Sequence, residues 1–301
     1  TLSNYIDNGI YPDIYEHGGV GASGDLVQLA HLALGIIGEG KGKNEAGDTR
    51  DISELLEKSN LSPHKLELRD GLAMINGTAC MTALAAINVM NSQILIDWSI
   101  KISAMMLEIF GSYDDYISKA LNQVKLHGGQ NEIAKSLRSL LASSQLIMTR
   151  YSNDNKNFQE FYSVRCTPQV LGPILDTINA AELVVENEIN SVDDNPIIDV
   201  QENKIIHGGN FHGDYISFEM DKLKIAITKL TMLTERQLNL LLNSKANKIL
   251  PPFLNIGKLG LNYGMQGVQF TATSTTAENQ MLSNPMSIHS ITCNGDNQDI
   301  V

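Results

Sequence analysis

Only three cysteines occur in 301 residues, with a single tryptophan, eight prolines and 6% aromatic residues. Cys80, Cys166 and Cys293 are odd in number and far apart, with no C-x-x-C pair and no histidines at finger spacing. This excludes a disulfide framework and a zinc finger, and suits reduced thiols in a cytoplasmic protein. Basic residues are also short: 22 Lys and Arg against 34 Asp and Glu give a net charge of −12, which argues against a surface that tracks phosphates, so no nucleic-acid partner is expected. The sequence reads as lacking an apolar run of membrane-spanning length, because its most apolar helical region is interrupted by Asp97 and Lys101, and no membrane partner is expected. Thr1 to Asn8 has no basic start followed by an apolar block, so it does not read as a signal peptide. There is no initiating methionine either, and the chain reads as a fragment or a processed piece.

What is present is enough apolar material, 43% of the residues, for a substantial core. Leu26, Leu29, Ala30, Ala33, Leu34 and Ile37 follow helical spacing until Gly38 and Gly40 end the run. Residues 41 to 65 are polar and read as a surface excursion with one short helix at Ile52 to Lys58. From Ala79 to Tyr113 the spacing of Leu84, Ile87, Leu95, Trp98, Ile102, Met105 and Ile109 predicts a long core helix. Further helices are predicted at about 130–148, 168–190, 214–245 and 266–283. Ile197 to Val200 and Lys204 to His207, joined by Gln201-Glu202-Asn203, make one candidate hairpin. The expected fold is therefore all-α, a bundle of long helices with at most a small β-hairpin. With no repeat and no linker, residues 1–301 read as a single mainly helical region.

Residues 17 to 40, HGGVGASGDLVQLAHLALGIIGEG, support two incompatible chemistries. Gly19, Gly21 and Gly24 spell G-x-G-x-x-G ahead of a helix, the spacing of a dinucleotide-binding turn. That turn needs a buried strand before it, and Tyr11-Pro-Asp-Ile-Tyr-Glu-His17 makes a poor one. No parallel sheet is predicted elsewhere. The other reading is Ala22-Ser23-Gly24. If the Gly24 nitrogen closes on the Ala22 carbonyl and water is lost, a five-membered ring forms; dehydration of Ser23 adds an exocyclic methylene. Small flanking residues and a departing Cβ hydroxyl suit this chemistry. Placed at a helix N-terminus, the electrophile would sit in a positive field. A plain glycine-rich helix start remains the alternative for the tripeptide alone.

Further motifs decide. Gly21-Ala-Ser-Gly-Asp-Leu, Gly71-Leu-Ala-Met-Ile-Asn-Gly-Thr78, Gln159-Glu-Phe-Tyr-Ser-Val-Arg-Cys166, Asp194-Asn-Pro196, Gly208-Gly-Asn-Phe-His212 and Asn297-Gln-Asp299 occur in this order. With them the chain resembles the aromatic amino acid ammonia-lyase family, which includes histidine, phenylalanine and tyrosine ammonia-lyases and related aminomutases. The resemblance covers essentially all of the chain. Its wording is closest to bacterial tyrosine ammonia-lyases in His207-Gly-Gly-Asn-Phe-His-Gly-Asp-Tyr215 and Thr271-Ala-Thr-Ser-Thr-Thr-Ala-Glu278. It implies elimination of ammonia from an aromatic amino acid, tyrosine favoured, to give an α,β-unsaturated acid. It also implies a methylidene-imidazolone formed from Ala22-Ser23-Gly24, with no external cofactor, and a homotetramer. Histidine ammonia-lyase and aminomutase are the alternatives within the family, and a noncatalytic helical assembly protein is the alternative outside it.

The resemblance also implies roles. Arg165 matches the arginine that binds the substrate carboxylate, where a planar guanidinium offers paired donors; a surface ion pair is the ordinary alternative. Asn76 and Asn195 match asparagines near that carboxylate and the amine, although Asn76-Gly77 alone would mean only a turn. Tyr162 and Gln159, three apart, match residues beside the electrophile, and Phe211 the phenylalanine packed on it; core packing is the alternative for both aromatics. Glu278 matches a glutamate near the amino group, able to stabilise ammonium or accept a proton, and otherwise a solvated helix acid. Gln298 matches a residue of the closing motif. His31 reads as a packed helix residue, and neither His207 with His212 nor any acidic cluster reads as a metal set, so no metal is expected.

Two family features are not matched. The resemblance implies an upstream mobile loop carrying a tyrosine base and a substrate-selecting position, but only 21 residues precede Ala22, and Tyr5 and Tyr11 lie in another context. The family also continues with helices beyond Val301. The chain is therefore expected to be an internal piece of a longer enzyme, inactive by itself.

Overall fold

The computed structural model describes residues 2–21, 26–149, 159–258, 260–289, 291–292 and 295–301. In chain order the first elements are α1 (Leu2–Asp7), β1 (Tyr11–Pro12), α2 (Leu26–Ile36), β2 (Lys41–Lys43), β3 (Thr49–Asp51), α3 (Ile52–Lys58), α4 (Asp70–Ile75) and α5 (Ala79–Ile109). Then come α6 (Lys119–Gln123), α7 (Gly128–Leu140), α8 (Tyr162–Arg165), α9 (Thr167–Ile189), β4 (Ile197–Asp199), β5 (Lys204–Ile206), α10 (Asp214–Leu242), α11 (Ser244–Asn247) and α12 (Gln266–Leu282). The helical architecture expected from the sequence is present. The predicted helix at about 130–148 is shorter, ending at Leu140.

The chain divides into two compact units. The first holds residues 1–86, 184–218 and 287–301; the second holds 87–183 and 219–286.

In the first unit, Tyr5, Ile10, Ile52, Leu55 and Leu56 form a buried cluster with Leu61 against it. The Tyr5 hydroxyl donates to the Gly35 carbonyl at 2.7 Å, and burial pushes its pKa up. Beside this core lies a three-stranded antiparallel sheet, β1-β2-β3, in register Tyr11 with Lys43 and Lys41 with Asp51. The sequence does not announce it: Lys-Gly-Lys and Thr-Arg-Asp are polar triplets without alternation. The β4-β5 hairpin is as expected, pairing Ile197 with Ile206 and Asp199 with Lys204.

In the second unit the most deeply buried side chains include Met106, Leu107, Ile133, Leu137, Leu171 and Ile178. Helix α7 starts hard against α9: a Cβ on Gly129 would overlap the Gly172 carbonyl oxygen, and the Gly129 nitrogen donates to Asp176 Oδ1 at 2.8 Å.

Helix α5 corrects one expectation. The residues predicted to be its core face, Leu84, Ile87, Leu95, Trp98, Ile102, Met105 and Ile109, are all exposed, Trp98 by 59%. The buried stripe is instead Thr82, Ala85, Val89, Ser92, Ile96, Ser99, Ser103 and Met106, also at three-and-four spacing. The covered side is half small hydroxyl residues and the uncovered side carries the larger apolar ones, so apolar periodicity points to the side this chain leaves open. Asp97 and Lys101, predicted to interrupt the apolar run, pair with each other at 2.6 Å on the exposed side. By length and composition the stretch Asp70–Ile109 could cross a membrane, contrary to expectation.

Candidate active site

The sequence-predicted residues fall into two groups, one in each unit. In the second unit, α8 is a single turn that carries Tyr162 at its start and Arg165 at its end. Its backbone is tied down from outside. Gln237 of α10, 1% exposed, donates from Nε2 to the Ser163 carbonyl at 2.9 Å and to Ser103 Oγ at 3.0 Å. Thr167 Oγ1 donates to the Val164 carbonyl at 2.9 Å. Immediately before the turn, the buried carboxylate of Glu160 accepts the Tyr116 hydroxyl.

These anchors present Gln159, Tyr162 and Arg165 on the wall of one cavity of about 1080 Å³, lined also by Arg236, Lys245 and Lys248. Tyr162 is 71% exposed, so it is not a core residue of this chain. Its ring lies under the Arg165 guanidinium, 4.8 Å from centroid to Cζ, a stacking that orients the fork. The Arg165 Nε is buried without a hydrogen-bond partner. A half-buried cation with an unused donor beside a cavity suits an anion, carboxylate being the planar match. Glu278 is not brought to this cavity. It is exposed on α12, where its neighbours Ala277 and Gln280 line a smaller cavity of about 290 Å³ with Glu235 and Arg236.

In the first unit Asn76 and Asn195 meet through Asp194. Asn76, 8% exposed, donates from Nδ2 to Asp194 Oδ1 at 2.8 Å, and the Asn195 nitrogen donates to the same oxygen at 2.6 Å. The Asn195 side-chain oxygen accepts the Gly208 nitrogen at 2.8 Å, tying it to the glycine motif. Next to Asn76, the Thr78 nitrogen donates to Asp193 Oδ2 at 2.7 Å and its hydroxyl to Glu188 Oε1 at 2.5 Å. Arg69 donates to Asp194 Oδ2 and to the carbonyls of Asn195 and Pro196. Sequence reasoning missed Arg69, Asp193 and Gln237, because each acts on residues far away in the chain. At the start of α4, Asp70 accepts the Glu67 nitrogen at 2.9 Å and His64 Nε2 at 3.3 Å; the backbone donor first, then the histidine, hold its carboxyl below the usual range.

Ala22-Ser23-Gly24 lies outside the described residues, but the residue before it is placed. Gly21 has φ +75°, and its carbonyl accepts the Gly213 nitrogen at 2.9 Å. A Cβ on Gly213 would overlap Met81 Sδ and stand 2.8 Å from that carbonyl oxygen, so only glycine permits the approach. The Gly208-to-His212 motif, with half-buried Phe211, thus ends against the chain entering the tripeptide. The residues present fit a ring made from Ala22, Ser23 and Gly24: a backbone that turns sharply just before them and is clamped by a second glycine.

Gln298 is half-buried near the end of the chain, and His212 Nε2 donates to the Ile300 carbonyl at 3.1 Å. His31 Nδ1 donates to the Val27 carbonyl at 2.8 Å and its ring meets Tyr15 edge-on, a packed helix residue as expected. Among the described residues no group of three or more His, Cys, Asp or Glu could hold a metal.

Comparison with known proteins identifies the family. A family model described as "Aromatic amino acid lyase" matches residues 1–301. The chain is 39% identical over its whole length to a tyrosine ammonia-lyase of Cupriavidus metallidurans, covering 59% of that protein. It is 40% identical over its whole length to a tyrosine 2,3-aminomutase of Myxococcus sp. (strain Mx-B0), covering 60% of it. It superposes on the crystal structure of histidine ammonia-lyase from Trypanosoma cruzi with a TM-score of 0.89 and 31% identity, over 99% of this chain and 55% of that one. The chain thus spans about three-fifths of the length of the curated relatives it matches. With the tripeptide, the asparagine pair and the Tyr162–Arg165 turn each in its motif, the chain belongs to the aromatic amino acid lyase family.

Proposed function

We propose that the protein carrying this chain eliminates ammonia from an aromatic amino acid, with tyrosine the favoured substrate, and releases an α,β-unsaturated acid. The observation that carries the reading is Arg165: a guanidinium stacked on Tyr162, with a buried unpartnered Nε, on the wall of a cavity large enough for an amino acid. Arg165 holds the substrate carboxylate and fixes the direction in which the α- and β-carbons point. Tyr162 and Gln159 orient the bound molecule from the same wall. Asn76 and Asn195, held by Asp194, offer amide groups to carboxylate and amine, and Phe211 supplies an apolar surface. Ring closure of Ala22-Ser23-Gly24 followed by dehydration of Ser23, with loss of two waters in all, would supply an electrophilic methylene for the substrate amine.

The β-proton is weakly acidic, so its removal needs a base positioned within hydrogen-bond reach. Tyr5 is no such base, since it is buried with its hydroxyl bonded to Gly35 and its pKa raised. The working enzyme is proposed to be a cytoplasmic homotetramer.

Aminomutase chemistry is the second reading, favoured by the 40% identity to a tyrosine 2,3-aminomutase. Incubation with tyrosine, phenylalanine and histidine separates the possibilities: a lyase releases the unsaturated acid, and a mutase accumulates the β-amino acid. The active protein is expected to be lighter than its sequence mass by two water molecules, and Ser23→Ala to lose nearly all turnover. Turnover by a protein of unmodified mass, or by Ser23→Ala at the wild-type rate, would contradict the reading.

A further inference from the structure

We infer that Arg69 is a positioning residue for the substrate-facing asparagines, working through the backbone of Asp194-Asn195-Pro196; the inference rests on the lyase or aminomutase reading above. One guanidinium grips three consecutive residues. Its Nη2 donates to Asp194 Oδ2 at 2.9 Å and to the Asn195 carbonyl at 2.8 Å, and its Nη1 to the Pro196 carbonyl at 3.1 Å. More than 120 residues of chain separate donor from acceptors, so this is a tertiary clamp and not a local turn. The Arg69–Asp194 pair is largely shielded, with side chains 29% and 17% exposed, which spares it much of the screening that makes surface pairs weak.

The clamp reaches both asparagines. Asp194 spends Oδ2 on Arg69 and Oδ1 on Asn76 Nδ2 and the Asn195 nitrogen, so the carboxylate orients both only while Arg69 holds it. With the Asn195 carbonyl gripped and its nitrogen on Asp194, its side-chain oxygen is left to accept Gly208. Arg69 itself sits at φ +76°, a left-handed conformation that non-glycine residues rarely keep unless their surroundings impose it. A lysine could not reproduce the clamp, because three acceptors lie in a fan matched by a planar fork.

The test uses the protein carrying this chain, with Arg69→Met, Arg69→Lys, Asn195→Ala and the Arg69→Met/Asn195→Ala double variant. Arg69→Met should cost roughly tenfold to a hundredfold in kcat/KM for the best aromatic amino acid, the penalty of a misplaced site group. The two-water mass loss at the tripeptide should persist. Arg69→Lys should recover part of the activity. Because Arg69 acts through Asn195 and its neighbour, the double variant should lose much less than the product of the two single losses. Amide exchange at Asn195 and Gly208 should speed up in both Arg69 variants, while α10 stays protected. Losses that multiply in full, kcat/KM within twofold of wild type in Arg69→Met, or unchanged exchange at both amides would each overturn the inference. If wild type turns over no aromatic amino acid, the functional reading fails by itself, and exchange at Asn195 and Gly208 still decides whether Arg69 holds the segment.

Discussion

Arg165 shows how much one residue's chemistry depends on shape as well as charge. A lysine in its place keeps the positive charge yet loses the second donor, the stacking on Tyr162 and the fixed plane. Since a substrate carboxylate is held most strongly when the reacting atoms are aligned, the penalty belongs in kcat/KM. Arg165→Lys should fold and cost roughly 2–4 kcal/mol of transition-state binding, which at about 1.4 kcal/mol per tenfold is roughly a 30- to 700-fold loss. Steady-state kinetics with the best aromatic amino acid checks it, and an unchanged kcat/KM would remove Arg165 from the site. The same argument explains why Tyr162 can stand 71% exposed at no evident gain to this chain's core: its ring is a platform for the guanidinium and a wall of the cavity.

Among the elements, the start of α10 matters more than its length suggests. Gly213, just ahead of Asp214, places its nitrogen on the Gly21 carbonyl with no space for a side chain. Gly213→Ala must push away either Met81 or the Gly21 backbone. Overpacking of this kind typically costs about 1–3 kcal/mol, and here the strain falls on the residue that leads into Ala22. The expected outcome is a folded protein in which a smaller fraction shows the two-water mass loss, with activity falling in proportion; intact mass and kcat measured together check it. Elements of this kind divide what sequence can show from what it cannot. The hairpin, α2, α9, α10 and α12 were legible because period and turn residues announce them locally. Arg165 and Asn195 were legible because their motifs are contiguous. Arg69, Asp193 and Gln237 were not, since a basic, an acidic and an amide residue acquire meaning only from partners dozens of positions away. Strands β2 and β3 escaped for a simpler reason: three polar residues carry no alternation to read.

At the scale of the whole molecule, α5 buries a stripe half made of small hydroxyl residues and leaves a larger apolar stripe uncovered. The uncovered stripe runs from Leu84 through Ile87, Leu95, Trp98, Ile102 and Met105 to Ile109, about seven turns of helix. A surface of this length and spacing matches helix-on-helix packing, and large contiguous apolar patches mark association sites. Copies of the same chain are the occupants the proposed homotetramer supplies. Burying one such side chain contributes about 1.5–3 kcal/mol, and in a symmetric assembly every copy repeats the contribution. Placing a carboxylate there reverses it at every copy. The protein carrying this chain should therefore sediment as a homo-oligomer, and Ile87→Glu with Trp98→Glu should shift it to smaller species. Because both positions are exposed in the single chain, the helical content of the dissociated variant should stay close to wild type by circular dichroism. A wild-type protein that sediments as a monomer, or a double variant that keeps the full assembly, would show that something other than another copy covers this face.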